Sequence, residues 1–265
     1  MRFDIRRLET CPSTNDAVRE LAAAGAPEGA VVVAGEQTAG RGTKGRAWHS
    51  PPGLGLYASI LLRPAFSGLS LLPIAAGLAV RDAVASAEGI AVRLRWPNDI
   101  VLDGRKLGGI LCESGFLGDR PEYAVLGIGL NVNHGPADFP DALRDGAVSL
   151  RIALGRPADR ERLLGALLAA VDHWTGALAR GEAALIVRDF DSSSFYRPGE
   201  PVLVSAADDP SPARDSQWRA SPAAGPASAA GRRFVYEGID ADGALLIRGP
   251  DGLRRFLSGE VRKVL

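Results

Sequence analysis

Gly40-Arg41-Gly42-Thr43-Lys44-Gly45-Arg46, with Trp48 just beyond it, follows the strand-forming run Val31-Val32-Val33-Ala34-Gly35. These seven positions hold three glycines and three cations. Glycine permits close approaches that a β-carbon blocks. Cations interleaved with bare N–H groups make a site for a phosphate or a carboxylate. Gly40, Gly42 and Gly45 also satisfy the G-x-G-x-x-G spacing of a dinucleotide fold, but the context fails. Such a loop opens a helix and is followed about twenty residues later by an acid. Here Pro51-Pro52 forbid a helix. Residues 56–62 then read as a strand, and Arg63-Pro64-Ala65-Phe66 contains no acid. A Walker A loop is excluded too, because Arg46-Ala47 stands where Lys and Ser/Thr are needed. The stretch is an anion loop of a third kind, leaving a buried strand of a sheet that is not doubly wound.

The 265 residues are enough for one large domain, or a large one with a small one. With 31 basic and 31 acidic residues the net charge is zero, which gives no electrostatic footprint for DNA or an anionic membrane. Cys11 and Cys112 are the only cysteines, as expected of a reducing compartment. No signal peptide and no apolar run of membrane-spanning length are read, so a cytoplasmic protein with no membrane partner is expected. Lysine is scarce, at Lys44, Lys106 and Lys263 only, and the abundance of Arg, Ala, Gly and Pro points to a GC-rich coding bias. A lysine that persists under that bias invites a functional reading.

Along the chain, Ser13 with Asp16 reads as a capping box opening a helix to Gly25. The same hydroxyls and amide can equally bind a small polar ligand. Residues 70–88 carry a helical apolar face ending at Gly89. Residues 92–96 alternate apolar and basic as a half-buried strand. Asp103-Gly104 predicts a hairpin between residues 100–102 and 107–111. A strand over 123–132, a helix over 142–154 and a longer one over 159–180 follow, with His173 an ordinary helix residue. From residue 197 the pattern changes to short strands of barrel-like size. The expected domains are 1–196 and 197–265, with 206–231 a disordered excursion rich in Ala, Ser and Pro.

Several stretches together resemble a biotin–protein ligase. They are Ser13-Thr14-Asn15, Glu36-Gln37-Thr38-Ala39-Gly40-Arg41-Gly42, Arg46-Ala47-Trp48, Trp96-Pro97-Asn98-Asp99, Lys106-Leu107-Gly108-Gly109-Ile110-Leu111, and Gly127-Ile128-Gly129-Leu130-Asn131-Val132-Asn133. The order matters more than any single motif. The resemblance implies an α/β (α+β) mixed sheet like that of class II aminoacyl-tRNA synthetases, followed by a small SH3-like β-barrel. It implies ATP and biotin as substrates with Mg²⁺, biotinyl-5′-AMP as intermediate, and a lysine of a biotin carboxyl carrier protein as acceptor. A lipoate ligase of the same fold is the alternative. Because the Ser13 motif leaves no room for a preceding helix-turn-helix domain, DNA binding is not expected. A homodimer is carried over from relatives.

Residue chemistry narrows the roles. Joining a carboxylate to a polyphosphate opposes like charges, and Arg41, Lys44 and Arg46 on the loop suit their neutralisation. By resemblance, biotin contacts Ser13, Thr14, Asn15, Gln37, Gly40, Arg41, Gly42, Thr43, Trp48 and Lys106. The nucleotide falls to Lys44, Arg46, Trp48, Asn98, Asn131 and Asn133. Lys106, Arg41 and Asp99 form the catalytic set, Lys106 bridging biotin's carboxylate and the α-phosphate. Asp99 either orients the incoming lysine or holds Mg²⁺. On residue type alone Trp48 reads equally as a core tryptophan, and Lys106 as a solvated turn lysine. Thr43 departs from the pattern, since many relatives have a cation there that helps retain the adenylate.

Overall fold

The computed structural model describes residues 1–63, 68–118, 120–205 and 232–264; the excursion expected over 206–231 lies outside them. The first sheet is built from β1 (Asp4–Cys11), β2 (Ala30–Gln37), β3 (Gly55–Leu62), β4 (Arg93–Arg95), β5 (Asp99–Leu102), β6 (Arg105–Leu117) and β7 (Arg120–Asn131). Its order is β1-β2-β3-β7-β6-β5-β4. Only β1 and β2 are parallel, joined by α1 (Thr14–Ala23); the other neighbours are antiparallel. β3 is buried at every position, which explains its apolar run, interrupted only by Ser59. The edge strand β1 shows no alternation in the sequence, because Arg6, Arg7 and Glu9 stand exposed along it.

One face carries α2 (Leu72–Glu88), α5 (Arg160–Ala179) and α6 (Ala183–Ser193), against Ala124, Leu126, Ile128 and Leu130 of β7. Asp159 caps α5 through the N–H groups of Glu161 and Arg162, at 2.9 and 3.1 Å. With the turn before it, α2 gives a helical stretch Leu69–Glu88 of 20 residues and mean hydropathy 1.4, long and apolar enough to cross a membrane by composition. The sequence reading that no run reaches that length is corrected here. The stretch packs in this core, with Trp174 Nε1 donating to Asp82 Oδ2 at 2.8 Å. The opposite face carries α1, with Val18 and Ala22 against Val32, Leu61 and Val125.

The helix expected over 142–154 is two short ones, α3 (Asp141–Arg144) and α4 (Leu150–Leu154). Between them Ala147 forms a bridge with Lys106. Ser149 restarts the helix by accepting from the Ile152 N–H at 3.1 Å. α6 went unread, although Ile186, Phe190 and Ser193 are buried at helical spacing along it.

The second sheet is antiparallel, in the order β11-β10-β9-β8-β12. Its strands are β8 (Pro201–Ser205), β9 (Arg232–Ile239), β10 (Leu245–Gly249), β11 (Gly252–Phe256) and β12 (Glu260–Lys263). It is bolted to the first unit at buried points. Trp96 Nε1 donates to the Gly243 carbonyl at 2.9 Å, and Tyr196 Oη donates to the Val261 carbonyl at 2.5 Å.

Candidate active site

A cavity of about 660 Å³ opens on the α1 face, walled by the glycine loop, residues 139–147 and the turn between β11 and β12. Its floor comes from strand alternation. On β7 the apolar even-numbered residues face the helices, so Gly127 and Gly129 are left on the cavity side. Gly129 pairs with Gly109 and Gly127 with Leu111 of β6. A β-carbon at Gly129 would fall 2.6 Å from Trp48 Nε1, and one at Gly127 would fall 2.1 Å from Asn15 Oδ1. The bare floor is what admits both side chains, and a ligand beside them.

One end is neutral and rich in hydrogen bonds. Gln37 Oε1 accepts from the Thr14 N–H at 2.9 Å and from its hydroxyl at 3.1 Å, while Gln37 Nε2 donates to Ser50 Oγ at 2.9 Å. Ser59 Oγ donates to Asn15 Oδ1 at 2.6 Å and lies 2.7 Å from Thr14 Oγ1. Ser13, Thr14 and Asn15 are buried and still line the cavity. The capping-box reading is corrected: Ser13 makes no side-chain cap, and Asp16 turns outward to Arg19 and Arg41.

The other end centres on Lys106. Asp103 and Gly104 have φ of 50° and 76°, the tight turn their sequence predicts. The Lys106 backbone is then held by Gly146 O at 2.8 Å and by the Val148 N–H at 3.0 Å. Its ammonium is 2.5 Å from Asp99 Oδ1 and 5.5 Å from the Trp48 ring centroid. Arg95 grips the other Asp99 oxygen through Nη2 at 2.7 Å and Nε at 3.2 Å. Both oxygens of Asp99 are thus already on cations.

Nearly every cation of this cavity has a carboxylate partner. Arg41 lies 2.8 Å from Asp16 and 3.1 Å from Glu113, and Arg46 lies 2.7 Å from Glu260 on β12. Burial alone would raise the Glu260 carboxyl; the Arg46 and Arg262 guanidiniums overcome it and hold it below its ordinary value. Among the described residues Lys44, exposed and at φ 59°, has no such partner. Thiol chemistry has no support, since burial pushes Cys112 up to about 12 and raises Cys11 as well.

Of the predicted residues, Ser13, Thr14, Asn15, Gln37, Arg41, Gly42, Thr43, Lys44, Arg46, Trp48, Asn98, Asp99, Lys106 and Asn131 line this one cavity. Two do not. Asn133 is pinned elsewhere, its amide paired with the backbone of Ala158 at 3.0 and 2.8 Å. Gly40 serves packing instead: a β-carbon there would lie 2.6 Å from the Trp48 carbonyl. Asn131 reaches the cavity, but its N–H groups donate to the carbonyls of Lys106 and Val148, at 3.3 and 3.1 Å. It braces the lysine and leaves only its amide oxygen for a ligand. Sequence reasoning missed Ser59, Arg95, Glu113 and Glu260. Glu113 was within reach, since it lies two residues beyond Leu111 on the same strand face. Glu260 was not, because nothing local says that β12 returns to the loop.

These features match known proteins closely. Residues 8–131 match the biotin/lipoate A/B protein ligase family, and residues 235–264 match the biotin protein ligase C terminal domain. The biotin–[acetyl-CoA-carboxylase] ligase of Paracoccus denitrificans is 35% identical over 256 residues, 94% of this chain and 96% of that protein. The bifunctional ligase/repressor BirA of Bacillus subtilis is 44% identical over 158 residues; that match spans 59% of this chain and 49%, about half, of the relative's length. The biotin protein ligase from Aquifex aeolicus, solved in complex with biotin and ATP, superposes with a TM-score of 0.80 at 28% identity, covering 98% of this chain and 99% of that one. The chain belongs to the biotin protein ligase family.

Proposed function

We propose that this protein is an ATP-dependent biotin–protein ligase. In the first step a biotin carboxylate oxygen bonds to the α-phosphorus of ATP and pyrophosphate leaves. In the second the amine of an acceptor lysine bonds to the biotinyl carbonyl, AMP leaves, and the amine loses a proton. The acceptor is the biotin carboxyl carrier domain of a carboxylase, and two free thiols suit a reducing, cytoplasmic setting.

The observation that carries this reading is the polarity of the cavity. A neutral end with both donors and acceptors suits a ureido ring. The ammonium of Lys106, with Lys44 and Arg46 of the loop, suits at the other end two anions that must meet. Lys106 is a compact charge on a flexible stem, held by Asp99. Reacting oxygens replace that carboxylate as its partner. Trp48, lying across Gly129, supplies an apolar face for the intermediate.

Among the described residues no group of three or more His, Cys, Asp or Glu could hold a metal ion. Asp99 offers oxygens that Lys106 and Arg95 already occupy. Mg²⁺ therefore enters this proposal as part of the Mg-ATP substrate. The exposed edge of β1 leaves room for a homodimer, which light scattering in solution tests directly. For the activity, biotin-dependent pyrophosphate release from Mg-ATP is expected. Release driven by lipoate and not by biotin would overturn it.

A further inference from the structure

Arg41 is the one loop cation tied to two different elements. Its Nη2 lies 2.8 Å from Asp16 Oδ1 on α1, and 3.1 and 3.3 Å from the two Glu113 oxygens on β6. Glu113 is itself fixed, because Oε2 accepts from Asn15 Nδ2 at 2.7 Å. Asn15 in turn rests over Gly127 with its amide oxygen held by Ser59. A chain of hydrogen bonds thus runs from the neutral end of the cavity to Arg41 in its wall. Nε and Nη1 of Arg41 have no partner among the described residues.

We infer that Asp16 and Glu113 are positioning residues that latch the glycine loop, through Arg41, over the neutral end of the cavity. This deepens the ligase reading and rests on it for the identity of the ligand. Arg41 shares these two carboxylates with Arg19, which pairs with Asp16 and lies 3.9 Å from Glu113, so the cluster carries no surplus positive charge and this end does not draw in an anion. It closes over a neutral head group instead, while the charged end of the ligand is left to Lys106. The latch acts on how long the ligand stays and not on the bond-making step. Its loss therefore raises KM for biotin and leaves kcat for adenylation near its original value.

Trypsin reads the latch without any ligand. The loop offers cleavage after Arg41, Lys44 and Arg46, and Lys44 has no ion-pair partner among the described residues. In the full chain, cleavage after Arg41 is expected to be slow relative to Lys44. E113Q and D16N should each raise that ratio about fivefold, as for a partly exposed ion pair, and E113D should restore it. A general loosening of the loop would speed both cuts equally, and that outcome would overturn the inference. Steady-state kinetics of pyrophosphate release with biotin supply the second arm. KM higher by about fivefold at unchanged kcat supports the latch; an unchanged KM, or a loss confined to kcat, contradicts it. Where the wild-type chain releases no pyrophosphate with biotin, the ligase reading fails, and the tryptic ratio still decides the latch. D16N, at a surface position, keeps the test open where E113Q does not fold.

Discussion

At the scale of single residues, charge pairing organises the site. Lys106 sits between Asp99 and the face of Trp48, with its backbone fixed on both sides. Lys106→Ala removes the ammonium held between Asp99 and Trp48 and leaves Asp99 on Arg95. Biotin-dependent pyrophosphate release should fall by about 10²- to 10³-fold, as for loss of one electrostatic stabiliser, while biotin binding by calorimetry falls far less. His134 supplies a different prediction. It is fully buried, stacked on Phe139 at 5.0 Å, and neither ring nitrogen has a hydrogen-bond partner among the described residues. Burial, aided by His49, lowers its pKa to about 4. The unfolded chain therefore binds the proton first as pH drops below about 6.5, and stability declines from there to about 4. His134→Phe keeps the stacking and removes the proton uptake. The difference in unfolding free energy between the two proteins should shift by about 3 kcal/mol in favour of the variant from pH 6.5 to pH 4. Urea titrations across that range check it.

At the scale of elements, the floor strands matter more than their sequence suggests. Gly127 and Gly129 look like weak points of a strand, yet their missing side chains are what the cavity is made of. Gly129→Ala puts a methyl 2.6 Å from the Trp48 nitrogen and forces the indole off the floor. Affinity for the adenylate should drop by about 1–3 kcal/mol, in line with overpacking, and Trp48 fluorescence should lose its response to biotin. The strand over residues 123–132 was legible in the sequence, as were the Asp103-Gly104 hairpin and α5. What was not legible depended on partners far away in the chain. β1 is exposed and so shows no period, and the 142–154 segment breaks because Ala147 pairs with Lys106. Asn133 resembles a site residue by its motif, but the fold turns it to Ala158.

At the scale of the whole molecule, the C-terminal sheet is a wall of the site. Trp96 of the motif preceding Asp99 is hydrogen-bonded into it, and Glu260 meets Arg46 across the cavity. The contact between α6 and β9 carries a defect: Asp191 packs on Gly238, and its buried Oδ1 has no hydrogen-bond partner among the described residues. Burial raises its pKa to about 6 despite the Ile239 N–H. Here the folded chain holds the proton more tightly, so stability is lost as pH rises through about 6. Asp191→Asn should raise the unfolding free energy by about 1–2 kcal/mol at pH 8, after discount for partial exposure, and leave it unchanged at pH 4. Thermal melts at the two pH values distinguish this from a pH-independent gain. The family motifs along residues 13–133 made the chemistry legible before the fold was known. The wall from the second sheet was invisible to them, since it is made by contacts between distant parts of the chain. The measurement closest to the central claim is intact mass of an apo biotin carboxyl carrier domain after incubation with this protein, biotin and Mg-ATP. A gain of one biotinyl group on the carrier is predicted, and none with Lys106→Ala over the same time. An unmodified carrier that becomes lipoylated when lipoate replaces biotin would contradict the account.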